Sequence, residues 1–563
     1  MEFLLFSGDY DAVLSRTGQL SDPATMPALI GALALSGRLD EAQSAFRSLS
    51  KAPPKPSDIP QARFYIVAGL CHAGNVHKAL RLVRTSLADL ALPDDRVPFW
   101  IWQGLALVRF FEGRFRRARA AGRRALASAM AAAFPYARVL ALDLLAHVLI
   151  HTGELHAGMR LLEQAASLAE GLGYTDNTLT LRTSATVYRL QYQLAAVDSA
   201  TEQVMEAVTN PAVSYFTRRN GLIELASAWA LRGQSERAQA ALEDARKIAL
   251  PGSDRRGRTR WLGAQALVLA LSKGEAAARE VLAEAREAAG DQRTLLAELA
   301  FLEAMFLGAS DELAASLPAL AAVTGIARTA IAAARVTGGD LPSPAQIEDG
   351  LCRLVVRCLR SEQRERPRLL LDAGLLGLIP WGLGLPPGRR LMLIDDQLVT
   401  ENQGVVTVEP APTGPSLKVL QRLGTGFQSR EDLAQHVWGL GQYHPSRHSA
   451  VINTAMSRLR PSLGEPSWLV THDEGYHLAS GVELVTVEAS VVAKQPSAPP
   501  PPPPEEAALL EALREGPAGS AEVAQRLRMS PSSALRLLRR MVERGVVIRE
   551  GSGRATRYAL REE

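Results

Sequence analysis

Residues 445–478 read PSRHSAVINTAMSRLRPSLGEPSWLVTHDEGYHL, and the spacing within this stretch decides what the second half of the chain is. Ile452, Met456, Leu459 and Leu463 recur at steps of four, three and four, the spacing of one buried stripe on an α-helix over Ser446 to Leu463. Ser449, Asn453, Ser457 and Arg460 fall on another side, which is short, polar and able to hydrogen-bond. A helix of this kind fits a DNA major groove, where Asn pairs with adenine, Arg with guanine, and Ser with a base or a phosphate. Arg447 and Arg458 add cationic contacts to the same helix. Pro461 removes an interior N–H near its end, so the last turn is expected to be kinked or short. Trp468 to Leu478 then reads as a hairpin standing behind the helix as a wing.

Around this core other words recur in a fixed order: Ser429-Arg430-Glu431-Asp432-Leu433, Val437-Trp438-Gly439, Ser457-Arg458-Leu459-Arg460, Leu463-Gly464 and Gly475-Tyr476-His477-Leu478. Upstream, Leu391 to Ile394, Gln397 to Thr400 and Val405 to Val408 are β-prone runs separated by Asp395-Asp396 and Asn402-Gln403-Gly404. Together these residues resemble the DNA-binding output domain of OmpR-type response regulators, a winged helix opened by a small antiparallel sheet. The domain is placed at residues 388–488. The resemblance implies double-stranded DNA as partner, a recognition helix at Ser446 to Leu463, a wing at Trp468 to Leu478, and self-association as a homodimer on repeated half-sites. The wing departs from the pattern. It carries His472-Asp473-Glu474 where relatives usually have Arg, and carboxylates facing a polyanion weaken binding. Either this wing turns away from the DNA backbone, or the domain binds weakly and needs a second module.

A second module follows a proline-rich linker at 489–504, in which Pro499 to Pro504 are consecutive and favour an extended spacer. Within 505–563, Glu505 to Glu515, Ser520 to Leu527 and Ser530 to Gly545 read as helices, the last with Ser530 as N-cap, Pro531 at its first position and Gly545 as its stop. Val546 to Leu560 alternates around Gly551-Ser552-Gly553, a hairpin signal. This order resembles the compact winged helices of MarR-like regulators. Leu535, Leu538 and Val542 are expected to face the core. Ser532, Ser533, Arg536, Arg539 and Arg540 on the third helix, and Arg549, Arg554 and Arg557 on the wing, are left for DNA.

The first half is repetitive. A small turn residue followed by a small residue inside the next helix recurs at Gly37 with Ala42, Gly74 with Ala79, Gly113 with Ala118, Gly153 with Gly158, Gly233 with Ala238, and more loosely at Gly274. Ala195 with Ala200 fills the gap between Gly153 and Gly233. The turns thus recur about every 37 to 42 residues, a solenoid spacing. Glycine supplies a left-handed helix end, and the small residue five positions on lets the second helix pack closely on the first. Residues 1–338 resemble tetratricopeptide-type helical repeats, lengthened beyond their usual period. Residues 339–387 are expected to hold a capping helix, Ser343 to Arg360, and a connector. Such arrays present concave grooves to a protein or peptide partner.

The fold class expected is therefore mainly α, an N-terminal α-solenoid of helical hairpins followed by two α/β winged-helix domains. The net charge is only +4, so any DNA footprint must be local. Cys71, Cys352 and Cys358 are too few and too scattered for a disulfide framework or a zinc site, which fits a reducing cytoplasm. The longest apolar run, Leu369 to Leu385, is interrupted by Asp372 and Pro380, so no membrane attachment is expected. No phosphate loop, zinc-protease helix or nucleophile elbow occurs. No catalytic residue, cofactor or metal is expected. The function expected is that of a cytoplasmic bacterial transcriptional regulator that binds DNA and whose array senses a protein or peptide. The competing reading is a scaffold that uses its winged helices for protein contacts.

Overall fold

The computed structural model describes residues 1–16, 23–51, 55–193, 197–248, 255–487, 504–514, 516–527, 529–543, 547–550 and 556–560. These belong to two compact units, 1–488 and 489–563.

The first unit begins with antiparallel helix pairs: Met26–Leu35 with Leu39–Leu49, Asp58–His72 with Val76–Ser86, Val97–Phe111 with Phe115–Ala131, and Pro135–His151 with Leu155–Gly171. Thr175–Tyr192 with Val197–Thr209, Tyr215–Leu231 with Ser235–Lys247, and Arg255–Ser272 with Glu275–Ala289 continue the series. Gly37, Gly74, Gly113, Gly153, Gly233 and Gly274 all have positive φ, the conformation that a side chain would strain. The small residues after them are sealed in: Ala42, Ala79, Ala118 and Ala238 are fully buried. A Cβ on Gly158 would lie 2.5 Å from Ile150 and 2.8 Å from the Ala146 carbonyl. Ala200 is buried in the same way, while Ala195 lies outside the described residues.

The array coils until its early turns meet its later helices. The Gly74 turn lies against Arg255 and Gln292, the Gly113 turn against Thr294 and Thr324, and Gly153 against Ala327. Arg293–Leu302, Asp311–Thr324 and Ala327–Thr337 complete it. The expected capping helix is shorter than Ser343 to Arg360. After a single 3-10 turn at Pro344–Gln346, the α-helix runs Gly350–Arg360, opened by the Asp349 carboxylate accepting from the Cys352 N–H at 3.1 Å. Asp349 is the better start because its side chain satisfies an N–H that helix geometry leaves open.

Strands β1 (Arg389–Ile394), β2 (Gln397–Asn402) and β3 (Val405–Pro410) form the leading antiparallel sheet. Gln403 and Gly404 both have positive φ, 49° and 85°, as a two-residue hairpin turn of this twist requires. Further along the chain come β4 (Gln428–Ser429), β5 (Leu469–Thr471), β6 (Gly475–Leu478) and β7 (Val482–Val487). β7 was not foreseen; it pairs parallel with β1, giving the order β3-β2-β1-β7.

The central strands β1 and β2 are buried on both faces. Met392, Ile394, Val399 and Val406 pack with the helical array, whereas Leu391, Leu393 and Leu398 pack with the winged-helix core of Val419, Leu433, Ile452, Leu459 and Trp468. The Gly404 turn is fitted beneath the array: Ser235 Oγ donates to its carbonyl at 2.7 Å, and the Val406 N–H donates to the Gly233 carbonyl at 2.8 Å. On the array side, Arg390 pairs with the fully buried Glu401 at 3.2 Å.

The second unit holds helices Pro504–Arg514, Ser520–Arg526 and Pro531–Glu543 and the hairpin β8 (Val547–Glu550) with β9 (Arg557–Leu560). Ser530 caps the third helix, accepting from the Ser533 N–H at 3.2 Å. The core stripe of that helix is rotated from the expected one. Ala534, Leu537, Leu538 and Met541 are buried, while Leu535 and Val542 are only half-buried. The cause is packing against Val523 and Tyr558, which a helical period alone does not locate. Gly545 and Gly551 to Gly553 lie outside the described residues.

Candidate functional site

The helix Pro445–Ser462 is built as its period implies. Ile452, Met456, Leu459 and the following Leu463 are sealed in the core. Pro445 opens it where no N–H is needed, and Pro461 falls in its final turn, one residue before its end. Across its eighteen residues the helix has three arginines and no Asp or Glu. Arg447, Asn453, Ser457 and Arg458 are exposed, and Ser449 and Arg460 are half-buried.

The polar residues divide into two groups. Tyr476 OH in β6 donates to Asn453 Oδ1 at 2.9 Å, and Arg460 Nη2 donates to Thr471 Oγ1 in β5 at 3.0 Å. Ser449 Oγ meets Tyr443 OH at 2.8 Å. These three therefore brace the helix against its own domain. Asn453 keeps its amide N–H groups free to point outward, since only its oxygen is engaged. Sequence reasoning passed over Ala450, Val451 and Thr454, which are exposed on the outer side. For Ala450 and Thr454 the signal was available in the period, because they lie opposite Ile452.

The wing forms as expected. β5 and β6 pair, and β4 adds to the other edge of β6. His472 N–H closes the tip by donating to the Gly475 carbonyl at 2.8 Å. His472, Asp473 and Glu474 are all exposed there, so the acidic tip faces solvent.

In the second unit, Arg536, Arg549 and Arg557 are exposed and Ser533 is half-buried within the cap. The register of β8 and β9 separates the two wing arginines. Arg549 stands opposite Tyr558, on the face of Val547, and Arg557 lies on the face of Ile548 and Ala559. Arg554 lies outside the described residues, as do the side chains of Ser532, Arg539 and Arg540.

The array encloses a channel of about 940 Å³. Asp9, Asp143 and Asp176 line it together with Arg219, Arg256 and Arg260, and between them stand Tyr65, Phe110, Tyr136 and Tyr188. Arg256 lies over the Phe110 and Phe111 rings at 5.7 and 5.1 Å. Burial, and then the charge of Asp9, raises the Asp176 carboxyl above its ordinary value. Burial, reinforced by Arg256, lowers His151 to about 3, so its ring is neutral. Gln103 donates through Nε2 to the Leu140 carbonyl at 2.9 Å, while its Oε1 has no partner among the described residues although the side chain is only 3% exposed. Cys71, Cys352 and Cys358 are free and buried.

Residues 507–551 match the family described as the IclR helix-turn-helix domain. The match supports a helix-turn-helix in the second unit and names IclR where the sequence pattern was compared with MarR-like proteins. No curated protein matches the chain. Among solved structures, it is similar to NprR in complex with its cognate peptide NprX, with 12% identity over 56% of this chain and 88% of that one and a TM-score of 0.40. It is also similar to a Rap protein complexed with Competence and Sporulation Factor, with 10% identity over 56% and 97% of the two chains and a TM-score of 0.39. The apo quorum sensor NprR from B. thuringiensis is similar with 12% identity over 62% and 98% and a TM-score of 0.36.

Proposed function

We propose that the chain is a DNA-binding transcriptional regulator whose helical array takes a peptide, or an extended segment of a protein, in its inner channel. The observation that carries this reading is the outer side of Pro445–Ser462: exposed, arginine-bearing, free of carboxylates and flanked by a hairpin. Such a surface attracts phosphate and fits the width of the major groove. The finer assignment to an OmpR-like winged helix rests on the ordered words from Ser429 to Leu478. The C-terminal helix-turn-helix supplies a second set of phosphate contacts through Arg536, Arg549 and Arg557, with Ser532, Ser533, Arg539, Arg540 and Arg554 as further candidates. In the first unit, Arg447, Arg458 and Ser457 contact DNA directly, and Ser449, Asn453 and Arg460 hold the reading face in place. Two copies binding repeated half-sites complete the reading.

The array and the winged helix share the sheet β3-β2-β1-β7, so a ligand in the channel has a packed route to the DNA-binding face. The carboxylates and guanidinium groups that line the channel match the two charged ends of a peptide.

The test is retention of mixed genomic DNA fragments over a salt series. Affinity is expected to fall steeply as salt rises. The acidic tip at Asp473 and Glu474 favours the scaffold reading instead, and failure to retain any fragment at low salt would establish it.

A further inference from the structure

At about 100° per residue, Ala450 and Thr454 lie within about 20° of the point directly opposite Ile452, so they form the outermost ridge of Pro445–Ser462. Val451 stands beside them and is 47% exposed. With Ala450 and Thr454 it lines one wall of an open cleft whose far side is Pro412, Pro415 and Trp438. Thr454 is polar in name only. Its hydroxyl donates to the Ala450 carbonyl at 2.7 Å, which turns the oxygen back on the helix and leaves the methyl as the group presented outward. The Asn453 oxygen and the Arg460 guanidinium are engaged by the wing. The leading edge of the helix thus carries the methyl groups of Ala450 and Thr454 beside Ser457, with Val451, Arg447 and Arg458 on its flank.

The major groove offers one apolar mark, the 5-methyl group of thymine. We propose that Ala450, Val451 and Thr454 form a methyl ridge that reads thymine in the site bound by the first unit. This rests on the DNA-binding reading above and adds what that reading lacks, a source of base preference that does not depend on hydrogen bonds. The flanking arginines hold phosphates and bring the ridge into the groove.

Replacing thymine by uracil removes the methyl group and preserves base pairing, so the ridge can be tested one atom at a time. Duplexes selected from a randomised pool by the full-length chain would be remade with deoxyuridine in place of each thymidine in turn, and binding read by fluorescence anisotropy. At one or more positions, uracil is expected to weaken binding about fourfold, the worth of one buried methyl group. At those positions Thr454→Ser or Val451→Ala is expected to abolish the penalty. Both residues are exposed, and Ser keeps the hydroxyl, so circular dichroism should match the parent. Uracil that is neutral at every position would overturn the proposal, as would a penalty that survives in both variants, which would place thymine reading elsewhere in the chain. A selection that recovers no duplex would instead remove the DNA-binding reading itself.

Discussion

Two positions apart on one helix, Arg458 and Arg460 meet different surroundings. Arg458 is exposed, whereas Arg460 is half-buried and tied to Thr471. Arg458→Ala is therefore expected to reduce the slope of log affinity against log salt by about one, the loss of a single phosphate contact. Arg460→Ala is expected to leave that slope nearly unchanged and to speed amide exchange in residues 469–478, because it releases the hairpin. The helical period showed which residues enter the core. It could not show which polar residues are engaged, since the partners of Asn453 and Arg460 lie 23 and 11 positions away and are brought close only by the fold. His151 gives a pH prediction of its own. Its ring is buried neutral against Phe115 and shifted from 6.5 to about 3. Above pH 6.5 neither folded nor unfolded chain protonates it. As pH falls from 6.5 toward 3 only the unfolded chain does, so stability declines by about 1.4 kcal/mol per pH unit from this group. In His151→Phe, chemical denaturation measured between pH 7 and 4 is expected to show a shallower decline.

Among the elements, the hairpin turns of the array were the most legible, because glycine at positive φ and a sealed alanine five positions on both follow from steric limits. Ala118→Leu is expected to destabilise the fold by about 1–3 kcal/mol through overpacking, measured by urea unfolding. The leading sheet was legible as three strands, and the uninterrupted apolar run Leu391 to Ile394 is how a strand buried on both faces reads. What covers each face was not legible, and neither was β7, whose pairing with β1 joins residues about ninety positions apart. Gly404 marks the point of closest approach. A Cβ there would lie 2.4 Å from Ser235 Oγ and 2.6 Å from Ser272 Cβ. Gly404→Ala thus combines backbone strain with a clash, and its melting temperature is expected to fall by several degrees.

At the scale of the molecule, glycine spacing announced an array but not its closure, because contacts between the Gly74 turn and Arg255 or Gln292 depend on how many repeats complete one coil. The division into units 1–488 and 489–563 yields a further expectation. A chain ending at residue 488 is expected to keep the unfolding transition of the first unit and to bind DNA with a shallower salt slope, through loss of the C-terminal arginines. The doubly buried strands β1 and β2 have a calorimetric corollary. A wall common to two cores cannot melt out of one and survive in the other, so heating is expected to dissolve the array and the winged-helix core in a single endotherm. Whatever firms the first would then act as a lever on the second without any hinge between them.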